Sequence, residues 1–253
     1  MATFFDSASL VMIPSGVKDG KAYSIKPTNG DGDFTFSRGT DTATRLNASG
    51  LIEKERSNQI LQSNTFDNAS WTKSNASVTA NTAVAPDGTT TADTFTITAN
   101  FGTISQAPTY ASGQVSTYSV YVKNIDAAVF NLQVRTASTA GLATFNFSGS
   151  TLTSSTLTTG IAQGFTDEGN GWYRCFVTFV TSETNQLCRL QIQDSGDSVY
   201  VWGVQLEQGL VAQPYIETTT AAVYEGITDN LPRLDYSGGA SCPSLLLEPS
   251  RTN

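Results

Sequence analysis

The chain has 253 residues, 22 acidic side chains against 14 basic ones, no histidine and a net charge of −8. That balance excludes a protein that tracks a phosphate backbone through clustered Lys and Arg, and it suits a soluble surface that resists self-association. The missing histidine removes the commonest general base, the Ser-His-Asp and Cys-His arrangements, and the usual zinc ligands other than cysteine.

Only 14% of the residues are charged, and Ser, Thr, Asn and Gly fill the gap. Thr favours strands while Gly and Asn favour turns, so the composition predicts β structure, with length for one large all-β domain or two smaller ones. At the N-terminus, Met1-Ala-Thr-Phe-Phe-Asp6 has neither the basic nor the apolar region of a signal peptide. No stretch approaches the ~20 apolar residues of a membrane span, and no membrane partner is expected. Leu10–Pro14 is a short apolar run, Asn29-Gly-Asp-Gly-Asp33 a turn, and Phe34–Arg38 an alternating strand-like run. Residues 1–58 hold too little core to fold alone, so this segment is expected to dock on the main domain, a sibling chain or a larger assembly.

The segment ends in Leu51-Ile-Glu-Lys-Glu-Arg-Ser-Asn58, which returns as Leu246-Leu-Glu-Pro-Ser-Arg-Thr-Asn253. Arg45-Leu-Asn47 is likewise echoed by Arg233-Leu-Asp235. Two copies so far apart do not make a solenoid, whose units are a few tens of residues long. They read as punctuation that opens a module, and the chain as one module of a longer modular polypeptide.

Residues 59–218 alternate with period 2, the pattern of half-buried antiparallel strands. Ser116–Lys123 places Tyr118, Val120 and Val122 on one face. Val129–Arg135 turns Phe130, Leu132 and Val134 inward and Asn131, Gln133 and Arg135 outward. Leu142–Ser148 groups Ala143, Phe145 and Phe147; Trp172–Thr181 groups Tyr173, Cys175, Val177 and Phe179. Gln186–Gln193 follows, and Val199–Leu206 offers Tyr200, Trp202, Val204 and Leu206 as one row. No helix beyond a turn or two is predicted. About eight strands in such a length predict a two-sheet, jelly-roll β-sandwich. Residues 219–253 are turn-rich and read as a linker opening a further module.

Candidates for chemistry are few. Cys175, Cys188 and Cys242 have no framework spacing, which predicts free thiols rather than a disulfide scaffold, with Cys175 and Cys188 near one another. No phosphate-cradling glycine motif is present. Asp167, Glu168, Asp194, Asp197 and Glu207 could serve a glycosidase, but all lie in or beside turns, so they are read as solvated and the protein as no enzyme. Trp71, Trp172 and Trp202 could stack on sugar rings; their setting in dense strands predicts packing inside the sandwich instead, with Trp71 a core anchor. Tyr110 and Phe101 are the better ligand candidates. Asp87 and Asp93 could hold calcium, although Pro86-Asp-Gly88 is more simply a turn. No catalytic, metal-binding or cofactor-binding residue is assigned.

Several stretches together resemble a module of tailed-bacteriophage virion proteins: Ser63-Asn-Thr-Phe-Asp-Asn-Ala-Ser-Trp71, Ala85-Pro-Asp-Gly-Thr-Thr-Thr-Ala-Asp93, Tyr118-Ser-Val-Tyr-Val-Lys123, Gly169-Asn-Gly-Trp-Tyr-Arg174 and Val201-Trp-Gly-Val-Gln-Leu-Glu207. The octapeptide at the module's opening and Pro214-Tyr-Ile-Glu-Thr218 at its close belong to the same resemblance, which covers about residues 51–218. Met1–Gly16 looks like the N-terminal segment of such proteins. The resemblance implies a head fibre, tail fibre or comparable appendage with a jelly roll similar to carbohydrate-binding modules. It further implies docking through residues 1–58 to other phage structural proteins of capsid or tail, a homotrimer, adhesion to host surface glycans, and release with the virion after assembly in the host cytoplasm. It carries over no catalytic residue.

Overall fold

The computed structural model describes residues 3–18, 21–35, 44–46, 52–54, 56–109, 112–135, 138–181, 186–225, 234–235 and 244–245. Tyr110, Cys242 and the second copy of the octapeptide lie outside the described residues. The chain divides into two units, Met1–Arg56 with Tyr224–Asn253, and Ser57–Val223.

In the first unit a short helix, α1 (Phe4–Ser7), begins with a capping box. The Thr3 hydroxyl accepts from Asp6 N–H, and the Asp6 carboxylate accepts from Thr3 N–H at 2.7 Å, so each residue holds a backbone donor of the other. Strands β1 (Val11–Lys18), β2 (Lys21–Lys26) and β3 (Phe34–Thr35) form an antiparallel sheet. The Asn29–Asp33 turn is fixed by Asp33, whose carboxylate accepts from the Ser24 backbone N–H at 2.8 Å and pairs with Lys21 at 2.9 Å. Phe4, Tyr23, Ile25 and Phe34 stand exposed. Two further pairs are β4 (Thr44–Leu46) with β5 (Ile52–Lys54), and a terminal pair of two-residue strands, Leu234–Asp235 with Ser244–Leu245.

The second unit opens through β6 (Arg56–Asn58), and its described residues form twelve strands in two sheets. They are β7 (Thr72–Ser74), β8 (Ala76–Ala83), β9 (Ala92–Ile97), β10 (Thr103–Gln106), β11 (Val115–Asn124), β12 (Val129–Arg135), β13 (Thr139–Ser148), β14 (Thr151–Thr159), β15 (Ala162–Gly169), β16 (Trp172–Val180), β17 (Leu187–Ile192) and β18 (Ser198–Gln208). The first sheet runs β14-β13-β12-β17-β10-β7 and the second β15-β16-β11-β18-β9-β8. Strand β9 pairs with β18, β10 with β17 and β11 with β16, all antiparallel. This nesting is that of one long hairpin. Rolling it up sets β11 beside β18 and β12 beside β17, and sends successive pairs to alternate sheets. The result is a jelly-roll β-sandwich. Four more strands are present than the eight or so expected.

The facing sides supply the core. Phe130, Leu132, Val134 and Phe145 of the first sheet meet Tyr118, Val120, Val177 and Phe179 of the second, all fully buried. Trp71 belongs to the same core; its indole N–H donates to the Gln62 carbonyl at 3.0 Å, and its ring lies 5.0 Å from that of Phe66. Cys175 and Cys188 are free, buried on facing sheets, and burial pushes both thiols up.

One expected row is overturned. Val199 and Val201 point into the core while Tyr200 and Trp202 point away, yet Val204 and Leu206 return to it. The cause is a bulge at Gly203, which takes φ 60°. Tyr121 pairs with Trp202 but Ser119 pairs with Gln205, so Val120 faces two residues instead of one. Trp172 and Trp202 are therefore buried outside the sandwich interior. They pack with Tyr121, Ala85 and Ala92 against the outer side of the second sheet.

Candidate functional site

The two outer faces differ in what they offer a partner. That of the second sheet is closed. Arg174 donates to the Ser119 hydroxyl and the Gln213 carbonyl and lies over the Tyr121 ring. Glu207, expected beside a turn and solvated, is instead buried within β18, and with Gln205 it holds the backbone of Gln213 and Ile216 down on the sheet. The indole N–H of Trp172 is bound to the Val84 carbonyl, and that of Trp202 to the Thr91 hydroxyl. At 2% and 6% exposure, neither ring can stack on a ligand.

The outer face of the first sheet is polar. Because Phe130, Leu132 and Val134 point inward, Asn131, Gln133 and Arg135 point outward, as the alternation predicts. The same alternation in β17 sends Leu187, Arg189 and Gln191 out, and in β10 it sends out Thr103 and Ser105. Register then aligns two rows across the strands: Ser105-Arg189-Gln133-Leu142 and Thr103-Gln191-Asn131-Thr144. Gln191 Oε1 accepts from both Asn131 Nδ2, at 3.2 Å, and Gln133 Nε2. Asn131 and Gln133 are each only 8% exposed, so they are held rather than free to sweep through solvent.

Two atoms on this face lack partners. Gln133 Oε1 and Arg189 Nε are buried without a hydrogen bond. A buried polar atom left unpaired costs about 1–3 kcal/mol, and such exceptions commonly mark where water or a ligand binds. Burial, and then the Arg135 charge beside it, pushes the Arg189 guanidinium pKa down. The face thus presents fixed amide donors and acceptors with guanidinium donors, on strands spaced about 4.8 Å apart. That chemistry suits a partner carrying many hydroxyl groups.

The other candidates fall elsewhere. Phe101 is 60% exposed at the tip joining β9 to β10. Asp87 closes its turn by accepting from Thr89, and Asp93, buried, accepts from the backbone of Phe66 and Asn81. Asp167 and Glu168 cap local turns through Gly169 N–H and the Thr166 hydroxyl. Asp194, Asp197 and Asp126 cluster at one end, where burial and then the Asp126 charge push the Asp197 carboxyl up. Among the described residues no three His, Cys, Asp or Glu side chains converge as metal ligands. Asn131 and Gln133 were legible as outward-facing; that Arg189 and Gln191 lie beside them depends on a pairing across more than 50 residues.

No family model matches the chain, and no curated protein does. Among solved structures the chain is similar to the enzymatically active domain of tailspike protein 4 of bacteriophage CBA120, at 11% identity and TM-score 0.41 over 60% of this chain. The match spans 21% of that tailspike chain. It is similar also to the C-terminal family 22 carbohydrate-binding module of Clostridium thermocellum Xyn10B, at 13% identity and TM-score 0.42 over 62% of this chain and 96% of the module. A third is TmCBM61, solved with β-1,4-galactotriose, at 14% identity and TM-score 0.38 over 60% of this chain and 99% of that one. The protein is an all-β chain built on a jelly-roll sandwich.

Proposed function

We propose that this chain is a structural protein of a tailed-phage virion appendage, a head fibre or comparable fibre, whose jelly roll adheres to host surface glycans without catalysis. The observation that carries the binding half is the polar outer face of the first sheet, with Gln133 Oε1 and Arg189 Nε buried and unpaired. A sugar hydroxyl both donates and accepts, so one hydroxyl can meet the Gln133 oxygen while a neighbouring oxygen takes the Arg189 N–H. The virion half is supported by the ordered motifs from Ser63 to Thr218. On this reading residues 1–58, with Phe4, Tyr23 and Phe34 exposed, dock the appendage on the particle as a homotrimer.

A glycan array probed with the full chain tests the adhesion. Retention of a glycan is expected, and Gln133→Ala and Asn131→Ala should each weaken it about tenfold at unchanged unfolding midpoint, one hydrogen bond to a held amide being worth about 1 kcal/mol or somewhat more. An array on which nothing is retained sinks the adhesive role. Gold labelling of intact virions with an antibody against residues 59–218 tests the location. Label around the capsid is expected of a head fibre. Label confined to the tail tip makes the chain a receptor-binding tail fibre, and unlabelled virions overturn the virion assignment.

A further inference from the structure

The sandwich unit, Ser57–Val223, holds eleven carboxylate side chains and five cations: Lys73, Lys123, Arg135, Arg174 and Arg189. Lys73 is spent on the carbonyls of Asp67 and Asn68, and Arg174 on Ser119 and Gln213. Arg135 and Arg189 stand on the same outward face of the first sheet. Gln133 is paired directly with Arg189, and Arg135 with Leu187, which sets the two guanidinium groups diagonally across β12 and β17. No carboxylate among the described residues pairs with either, despite the excess of acid in the unit. Two like charges side by side repel, and the Arg135 charge already makes the Arg189 cation harder to keep. Between and beside them lie the unpaired Arg189 Nε and the Gln133 amide oxygen, on a side chain more than nine-tenths buried.

Resting on the glycan reading of this face, we infer that the sugar it takes is acidic: a monosaccharide carboxylate is held by Arg135 and Arg189, with an adjacent hydroxyl on Gln133. A carboxylate accepts from a guanidinium in a forked, charge-assisted geometry and relieves the repulsion between the two cations. The remaining charge of the unit narrows the class. Its net negative field opposes a densely charged polyanion, so the ligand carries isolated acidic sugars set among neutral ones rather than a sulfate or phosphate on every residue.

The test uses the full chain and matched probes: sialyllactose against lactose, and hyaluronan oligosaccharides against the same oligosaccharides after carboxyl reduction, with heparin as the dense polyanion. Retention of an acidic member with loss of its neutral counterpart is expected, together with a fall of about tenfold or more in Arg189→Gln and a smaller fall in Arg189→Lys, which keeps charge but not the fork. Heparin should bind more weakly than the sparse acid. Gln133→Ala should weaken acidic and neutral probes alike and so reports on the face itself. Binding of neutral array glycans with no preference for acidic partners, or binding unchanged in Arg189→Gln, overturns the carboxylate assignment and leaves glycan adhesion standing. Failure to retain any glycan, acidic or neutral, overturns both.

Discussion

Replacing Asn58 with alanine is expected to lower the unfolding free energy by about 3 kcal/mol or more, measured by urea denaturation of the full chain. Asn58 is fully buried, and its amide makes four hydrogen bonds. Nδ2 donates to the carbonyls of Val204 and Ile216, both at 2.9 Å, while Oδ1 accepts from Ile60 N–H at 3.1 Å and Leu206 N–H at 3.2 Å. Alanine strands two carbonyls and two N–H groups at a buried position. Aspartate at the same position keeps the acceptor, loses both donors and buries a charge, so Asn58→Asp should be at least as damaging at neutral pH. A loss below about 0.5 kcal/mol, the range of ordinary surface changes, would mean that the opening of the jelly roll is not latched by this side chain.

Gly203→Val should cost a similar amount, about 3 kcal/mol, by a different route. At φ 60° an L-residue pays about 1–2 kcal/mol, and a β-branched one is the worst suited. A Cβ there would also sit 3.0 Å from Tyr121 Cδ2 and 3.5 Å from Tyr215 Cδ2. The Tyr121 ring, which must give way, packs edge-on against Trp202 at 5.3 Å, and Trp202 lies 4.6 Å from Tyr215, so the change reaches the aromatic group. Near-ultraviolet circular dichroism should change together with the unfolding midpoint. A variant with native dichroism and native stability would contradict the bulge.

These two positions also separate what the sequence could show from what it could not. Strands such as Val129–Arg135 were legible because one face is apolar throughout, and β12 carries that range. Those that escaped, β7, β8, β9, β10, β14 and β15, are outermost or next to it: Thr151–Thr159 and Ala162–Gly169, for example, have little apolar surface because one side meets solvent. The Tyr200-to-Leu206 row failed because a single extra residue reverses the facing of everything before it, and a glycine announces a bulge only ambiguously. The octapeptide was visible as a mark, but its purpose was not: its last residue is Asn58, three of whose four partners lie about 150 residues away. The polar face was half legible, through Asn131 and Gln133, and became a site only when register brought Arg189 and Gln191 beside them. Of the aromatic candidates, Trp71 lies in the core as expected, whereas Trp172 and Trp202, expected inside the sandwich, are buried in a cluster outside its interior.

The chain leaves the jelly roll where it came in. Gln62 N–H donates to the Thr219 carbonyl at 2.9 Å and Ser63 N–H to that of Thr218 at 3.2 Å, while Tyr215 and Ser63 join their hydroxyls at 2.6 Å. Such a body sits on its polypeptide like a bead threaded through a single hole. Spliced into a surface loop of an unrelated protein, it would neither stretch its host nor be stretched by it, because the two cut ends already touch. A coding segment with that property can pass by recombination from one gene to another without its new neighbours having to be rebuilt around it.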